Sequence, residues 1–108
     1  MIIGSDYDET FSDHPELWSI ANLIITGRSW EDYENFTADK VGPDIPVFMN
    51  PAQLEKNNVM EIVQHKANII NKIGISKFYE DQPDEAKMIQ LLAPKCKVIL
   101  VKKGYTQI

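Results

Sequence analysis

Residues Ile2-Ile3-Gly4-Ser5-Asp6-Tyr7-Asp8-Glu9-Thr10 pass from an apolar run directly into acids and a hydroxyl. An apolar run without polar alternation suits a strand covered on both faces, as in a parallel sheet. Residues 2–6 are therefore read as a first strand, and the same signature recurs outward from it. Residues 21–26, bounded by the breaker Gly27, form a second, and residues 45–49, despite Pro46, a third. Residues 77–80 and 97–101 complete a set of five. Helical patterns fill the intervals. Ser29 is placed to cap a helix running through Tyr33 to Phe36. Val59, Ile62, Val63, Ala67, Ile70 and Ile73 share one stripe at helical spacing, closed by Gly74. Pro83 opens a further helix with Ala86, Ile89, Leu92 and Ala93 inward, and Pro94 stops it. Strands alternating with helices predict an α/β fold: a three-layer, Rossmann-like domain with a mostly parallel, about five-stranded sheet. Residues 10–20 are too few for a crossover helix with its loops, so at most a turn or two is expected over 15–20.

Bulk properties agree. The chain has 108 residues, 44% hydrophobic and 25% charged, which fits a single domain over 1–108 and excludes wholesale disorder. No insertion is long enough for a cap domain. The net charge of −5 argues against a protein that wraps nucleic acid, though not against one acting on a nucleotide or a nucleic acid end. Apolar runs such as residues 98–101 fall far short of the ~20 residues a spanning helix needs, so no membrane association is expected. No basic region precedes the apolar opening, and Cys96 has no partner for an internal disulfide. A cytoplasmic location is the expectation.

In an open α/β sheet, ligands bind outside the carboxyl ends of the strands. Asp6, Asp8 and Thr10 leave the first strand there, Thr26, Gly27 and Arg28 the second, Asn50 the third, and Glu80, Asp81 and Asp84 the fourth. Carboxylates crowded on one edge repel unless a cation or shared proton intervenes, and an all-oxygen set favours Mg²⁺ over Zn²⁺. Lys66 lies within the apolar stripe, where an unpaired charge is costly. Blander readings exist for each. Lys66 could snorkel at the stripe's edge; if its helix begins as early as Asn58 it lies too far down, and Lys72 or Lys77 substitutes. Thr26 could cap a strand end, Asp84 decorate a first helical turn, and Arg28 pair with the acidic rim rather than with phosphate. Asn50 could touch the site or only start a turn with Pro51. His14 and His65 read as surface residues, Trp18 and Trp30 as core or its margin, and Cys96 as an inert thiol. Lys95, Lys97, Lys102 and Lys103 read as a solvated sheet edge.

These residues resemble the four motifs of the haloacid dehalogenase superfamily of phosphohydrolases, in order and over residues 2 to about 101. Residues 2–10 resemble the first motif, D-x-D-x-T after a strand, and residues 23–28 the second, a strand ending in Thr. His65-Lys66 is similar to the third, and residues 78–83 to the fourth, with Glu80-Asp81 where Asp-Asp is commoner. The resemblance implies a small capless hydrolase, a phosphatase in which Asp6 attacks phosphorus to form an aspartyl-phosphate. Asp8 would be its acid and base, and Thr26, Gly27, Arg28 and Lys66 would bind the phosphoryl group. It further implies metal binding: Mg²⁺ between Asp6, the Asp8 backbone carbonyl and Asp81, with Glu80 in support or orienting Lys66. The substrate would be a nucleotide, a nucleic acid end, a sugar phosphate or a phosphoprotein, and a homo-oligomer or partner could cover the open site. The alternatives are a non-catalytic phosphate- or Mg²⁺-binding module or partner subunit, and a receiver domain. Against the receiver domain, Asn50 stands where that family carries its phosphorylated Asp.

Overall fold

A computed structural model describes residues 1–51 and 58–101 with their side chains, and the backbone of residues 105–107. Six strands form one sheet: β1 (Ile3–Ser5), β2 (Leu23–Ser29), β3 (Val47–Asn50), β4 (Lys77–Glu80), β5 (Lys97–Val101) and β6 (Tyr105–Gln107). Their order is β3-β2-β1-β4-β5-β6, so the first strand is central. Gly4 pairs with Leu23 on one side and with Phe78 on the other. The first five strands are mutually parallel, as the unalternated apolar runs predict. β6 adds an antiparallel edge that the sequence reading does not include, because Tyr105-Thr106-Gln107 carries no apolar run.

Among the described residues three α-helices complete the layers: α1 (Tyr33–Asp39), α2 (Val59–Ile73) and α3 (Pro83–Leu92). The architecture is Rossmann-like α/β. On one face, Val63, Ala67 and Ile70 of α2 and Ala86 and Ile89 of α3 pack on Leu23, Ile25, Phe78 and Val98 of the strands. On the other, Phe36 of α1 joins Tyr7, Phe11 and Leu17 over Ile24, Met49, Tyr79 and Val101. Successive strand residues such as Ile24 and Ile25 thus serve opposite cores, which is why neither position tolerates a polar side chain. Each fully buried side chain of this size is worth about 1.5–3 kcal/mol.

Several local expectations hold. Gly74 ends α2 with φ of +81°; at the other end Asn58, to which the sequence reading gives no capping role, accepts from the Glu61 N–H at 3.3 Å. The first crossover, from β1 to β2, is abbreviated, with a single 3₁₀ turn at Pro15–Leu17. Others need correction. β2 does not stop at Gly27 but continues through a register shift to Ser29. Ser29 makes no side-chain cap bond; a 3₁₀ turn, Trp30–Asp32, precedes α1. Leu92 is exposed at the end of α3, and Trp30 is 57% exposed rather than packed in the core. Trp18 does pack against the second core, its Nε1 donating to the Phe11 carbonyl. Lys95 and Lys97 are solvated as expected, while Lys102 and Lys103 lie outside the described residues. Among the described residues no helix is long and apolar enough to cross a membrane.

Candidate functional site

The carboxyl end of β1 leads into the site. Asp6 keeps extended backbone (φ −65°, ψ 158°), and its N–H donates to the Tyr79 carbonyl, prolonging the β1–β4 ladder by one step. The chain then turns sharply. Phe11 N–H donates to the Asp6 carbonyl and Ser12 N–H to that of Tyr7, with Glu9 at φ +61° inside the turn. A non-glycine residue in the left-handed region is uncommon, and here it allows Thr10 to fold back over Asp6. The Thr10 hydroxyl lies 3.2 Å from Asp6 Oδ2 and 2.8 Å from Asp81 Oδ1.

Lys66 enters from α2. Its Nζ donates to Asp6 Oδ1 at 3.0 Å and to Glu80 Oε1 at 2.7 Å, and lies 3.7 Å from Glu85 Oε1. The helix does begin directly after Asn58, yet Lys66 still reaches the strand ends. Helical side chains tilt toward the helix N-terminus, and α2 starts at the carboxyl edge of the sheet, so the four-carbon stem points back up to the site. Lys72 is exposed, and Lys77 pairs with Ile3 at the opposite end of the sheet, so neither substitutes. Gly27 brings α2 close enough: a Cβ there would lie 2.9 Å from Ile62 Cγ2.

Glu80 is spent on holding the lysine. Its Oε1 takes Lys66, and its Oε2 accepts from the N–H groups of Asp81 at 3.1 Å and Gln82 at 3.4 Å. One oxygen from each of Asp6, Glu80 and Asp81 falls within 4.8 Å of the others, a spacing that could hold a metal ion. Of these three, Asp6 Oδ2 and the Asp81 carboxylate are not engaged by a cationic side chain among the described residues. They share the Thr10 hydroxyl, which has a single proton to donate. Serving Asp81 with it leaves Asp6 Oδ2 facing an oxygen lone pair, an arrangement that a divalent cation or an added proton would relieve.

The charge balance points the same way. Three carboxylates stand within 3.7 Å of the Lys66 ammonium, and Asp81 joins through Thr10. Burial pushes the Asp6 carboxyl up, with Lys66 pulling it back and Asp81 pushing it further. Burial also holds Glu80 well above the usual carboxylate range, and raises Glu85. Burial alone would lower the Lys66 ammonium, but Asp6 and Glu80 outweigh it, and lysine stays charged. The carboxylate oxygens of Asp6, Glu80 and Asp81 are spaced so that they could hold a metal ion.

Asp8 stands apart from the cluster. Its carboxylate pairs with Arg28, Nε to Oδ2 at 2.9 Å and Nη2 to Oδ1 at 2.5 Å. Arg28 therefore pairs with the acidic rim, the second of its two readings, and this pairing with Asp8 raises its already high value further. Thr26 is buried, and its Oγ1 accepts from the Arg28 N–H, within the stretch where β2 shifts register. Asn50 is buried and donates to the Gly27 carbonyl at 3.4 Å. Asp84 is exposed and outside the cluster; Glu85, one residue on, is the acid of α3 that faces Lys66. His14 bonds the Thr10 carbonyl through Nδ1. His65 is half-buried rather than a surface residue, and burial lowers it. Burial pushes the Cys96 thiol up to about 11, as an inert core thiol requires.

Together Asp6, Asp8, Glu9, Gly27, Arg28, Lys66, Glu80, Asp81 and Glu85 border an open cleft of about 250 Å³. Thr10 and Glu85 are the contributors the sequence reading gave no role. Thr10 carried a signal as the hydroxyl of D-x-D-x-T, whereas Glu85 carried none among so many acids. Comparison of the chain with protein-family models, curated proteins and solved structures found no match.

Proposed function

We propose that this chain is a Mg²⁺-dependent phosphohydrolase of the haloacid dehalogenase type, with Asp6 as the nucleophile. The observation that carries the reading is the setting of Asp6 at the end of the central strand. One of its oxygens is held by Lys66, and the other faces Thr10 and Asp81 beside an open cleft. In that setting Asp6 attacks phosphorus in line and the leaving oxygen departs. Water then hydrolyses the aspartyl-phosphate, regenerating Asp6. Lys66 fixes the nucleophile and places positive charge on the phosphoryl oxygens, and Glu80 orients Lys66. Asp8 borders the cleft two residues on; it protonates the leaving oxygen and then takes a proton from the attacking water. Backbone N–H groups near Tyr7 and Gly27 would assist in binding the phosphoryl oxygens. Asp6 and Asp81, with the Asp8 carbonyl, are the residues that would hold Mg²⁺, which when bound supplies further charge to the phosphoryl oxygens.

The test is turnover of p-nitrophenyl phosphate with Mg²⁺ by the wild type and by Asp6→Asn. Turnover that disappears in the variant supports the reading; equal turnover in both sinks it. One observation favours a second reading, a non-catalytic Mg²⁺- or phosphate-binding module. Arg28 occupies both oxygens of Asp8, the carboxylate that would protonate a leaving alcohol. A protein whose melting temperature rises with Mg²⁺ but that hydrolyses no member of a broad phosphate panel is that module.

A further inference from the structure

β3 ends the sheet on one side, and its neighbour is β2. The Pro46 carbonyl accepts from the Ile24 N–H at 2.9 Å, so Pro46 and Phe48 turn their backbone groups toward β2. Alternation leaves the N–H and C=O of Val47 and Met49 facing outward, without a partner among the described residues. Sheet edges are ordinarily blunted by charge, by proline or by a covering element. Residues 45–49 carry no charge, and the ring nitrogen of Pro46 lies on the β2 side, where it blunts nothing.

Both faces beside this edge are grooved. On the α1 side a groove of about 370 Å³ runs from Trp30 and Tyr33, at the start of the helix, to Lys40 and Ile45 beyond its end. On the α2 side a groove of about 540 Å³ is lined by Glu61, Gln64, Asn68 and Lys72, one exposed stripe of the helix. The stripe is acidic at its start, carries amides in the middle and is basic at its end. His65, halfway along it, borders the Phe48 backbone, which sets the middle of the stripe level with the middle of β3.

We propose that the edge is an interface for a second copy of this chain, the two β3 strands pairing antiparallel about a twofold axis through Phe48. Such an isologous contact must complement itself with the direction reversed. The α2 stripe does so, because Glu61 of each copy faces Lys72 of the other and the amides meet between them. Val47 of each copy exchanges N–H···O=C bonds with Met49 of the other, and the two Phe48 side chains form the closely spaced pair between those bonds. On the α1 side the aromatic end of each groove meets the lysine end of the other. The carboxyl edges of the joined sheets point in opposite directions, so both clefts stay open. The proposal is independent of the phosphohydrolase reading.

The experiment is sedimentation equilibrium of the full chain at protein concentrations up to about 0.5 mM, millimolar dissociation being the weakest association of interest. The wild type should form a dimer and nothing larger. Lys72→Glu sets like charges against each other twice in the dimer and should weaken it by about 10-fold or more, as should Glu61→Lys. Glu61→Lys with Lys72→Glu exchanges the two ends and should restore the dimer to within about 3-fold of wild type, whereas any other docking makes the two losses add. Val47→Pro removes an outward N–H without touching the ladder to β2 and should abolish dimerisation. Should that variant fail to fold, the charge series decides. A monomeric wild type overturns the proposal, as does a dimer that ignores the charge series or is not rescued by the exchange. Val47 and Met49 N–H groups that resist hydrogen exchange in a monomer show the edge to be covered from within its own chain, which overturns it too.

Discussion

Lys66 concentrates the energetics of the site in one residue. The residue is 2% exposed, and its ammonium stands between two carboxylates that are themselves buried. Removing one member of such a set strands the others without a counter-charge, which costs about 3–5 kcal/mol. Lys66→Met should therefore lose about that much stability in urea unfolding, although methionine fits the apolar stripe. Glu85→Gln, by contrast, relieves an excess of negative charge and should stay within about 1 kcal/mol of wild type. A Lys66→Met protein as stable as wild type would show that the ammonium is not the counter-charge of the cluster. Lys66 was legible in the sequence because it interrupts an apolar stripe, where a charge demands a partner. The identity of those partners was only half legible. Asp6 and Glu80 sit at strand ends, which periodicity locates, but the choice of Glu85 over Asp84 depends on the rotational phase of α3, which Pro83 alone does not fix.

At the scale of elements, the contact between β2 and α2 sets where that lysine arrives. Gly27 is required by proximity: a methyl group there would meet Ile62 at 2.9 Å. Gly27→Ala should cost about 1–3 kcal/mol through this overpacking and should depress turnover as well, because Ile62 and Lys66 lie one turn apart on the same helix. Adding Ile62→Val removes part of the obstruction and should recover both; failure of the double variant to recover either would place the cause elsewhere. In the sequence, Gly27 read as the end of a strand, since glycine punctuates strands more often than it admits a helix. β6 was missed for a related reason. Its three polar-flanked residues complete an edge only because β5 already presents unpaired backbone groups, and no local pattern announces that. The parallel strands and the two longer helices, whose periodicity comes from burial itself, were read nearly to their ends.

For the whole molecule, the strand order does the gathering. Asp6 and Asp81 are far apart along the chain and adjacent in space because β1 is inserted between β2 and β4. The convergence of strand ends was foreseeable from the rule that ligands lie at the carboxyl edge, and Arg28 on the acidic rim was one of two readings, whereas the choice of Asp8 as its partner was not, since no spacing encodes it. A ligand that binds the folded state alone stabilises it by mass action, about 2.7 kcal/mol at one hundred times its dissociation constant. Mg²⁺ should accordingly raise the melting temperature of the wild type and leave Asp81→Asn unmoved.

The position of β1 also has a kinetic consequence. Gly4 must find Phe78 across most of the chain, and such distant pairings are slow to form and dominate the folding barrier. Until that seam closes, the two halves of the proposed Mg²⁺ site belong to separate pieces of chain. In a chevron experiment, Mg²⁺ should therefore act on the unfolding limb, slowing escape from the native state while leaving the refolding limb almost where it was.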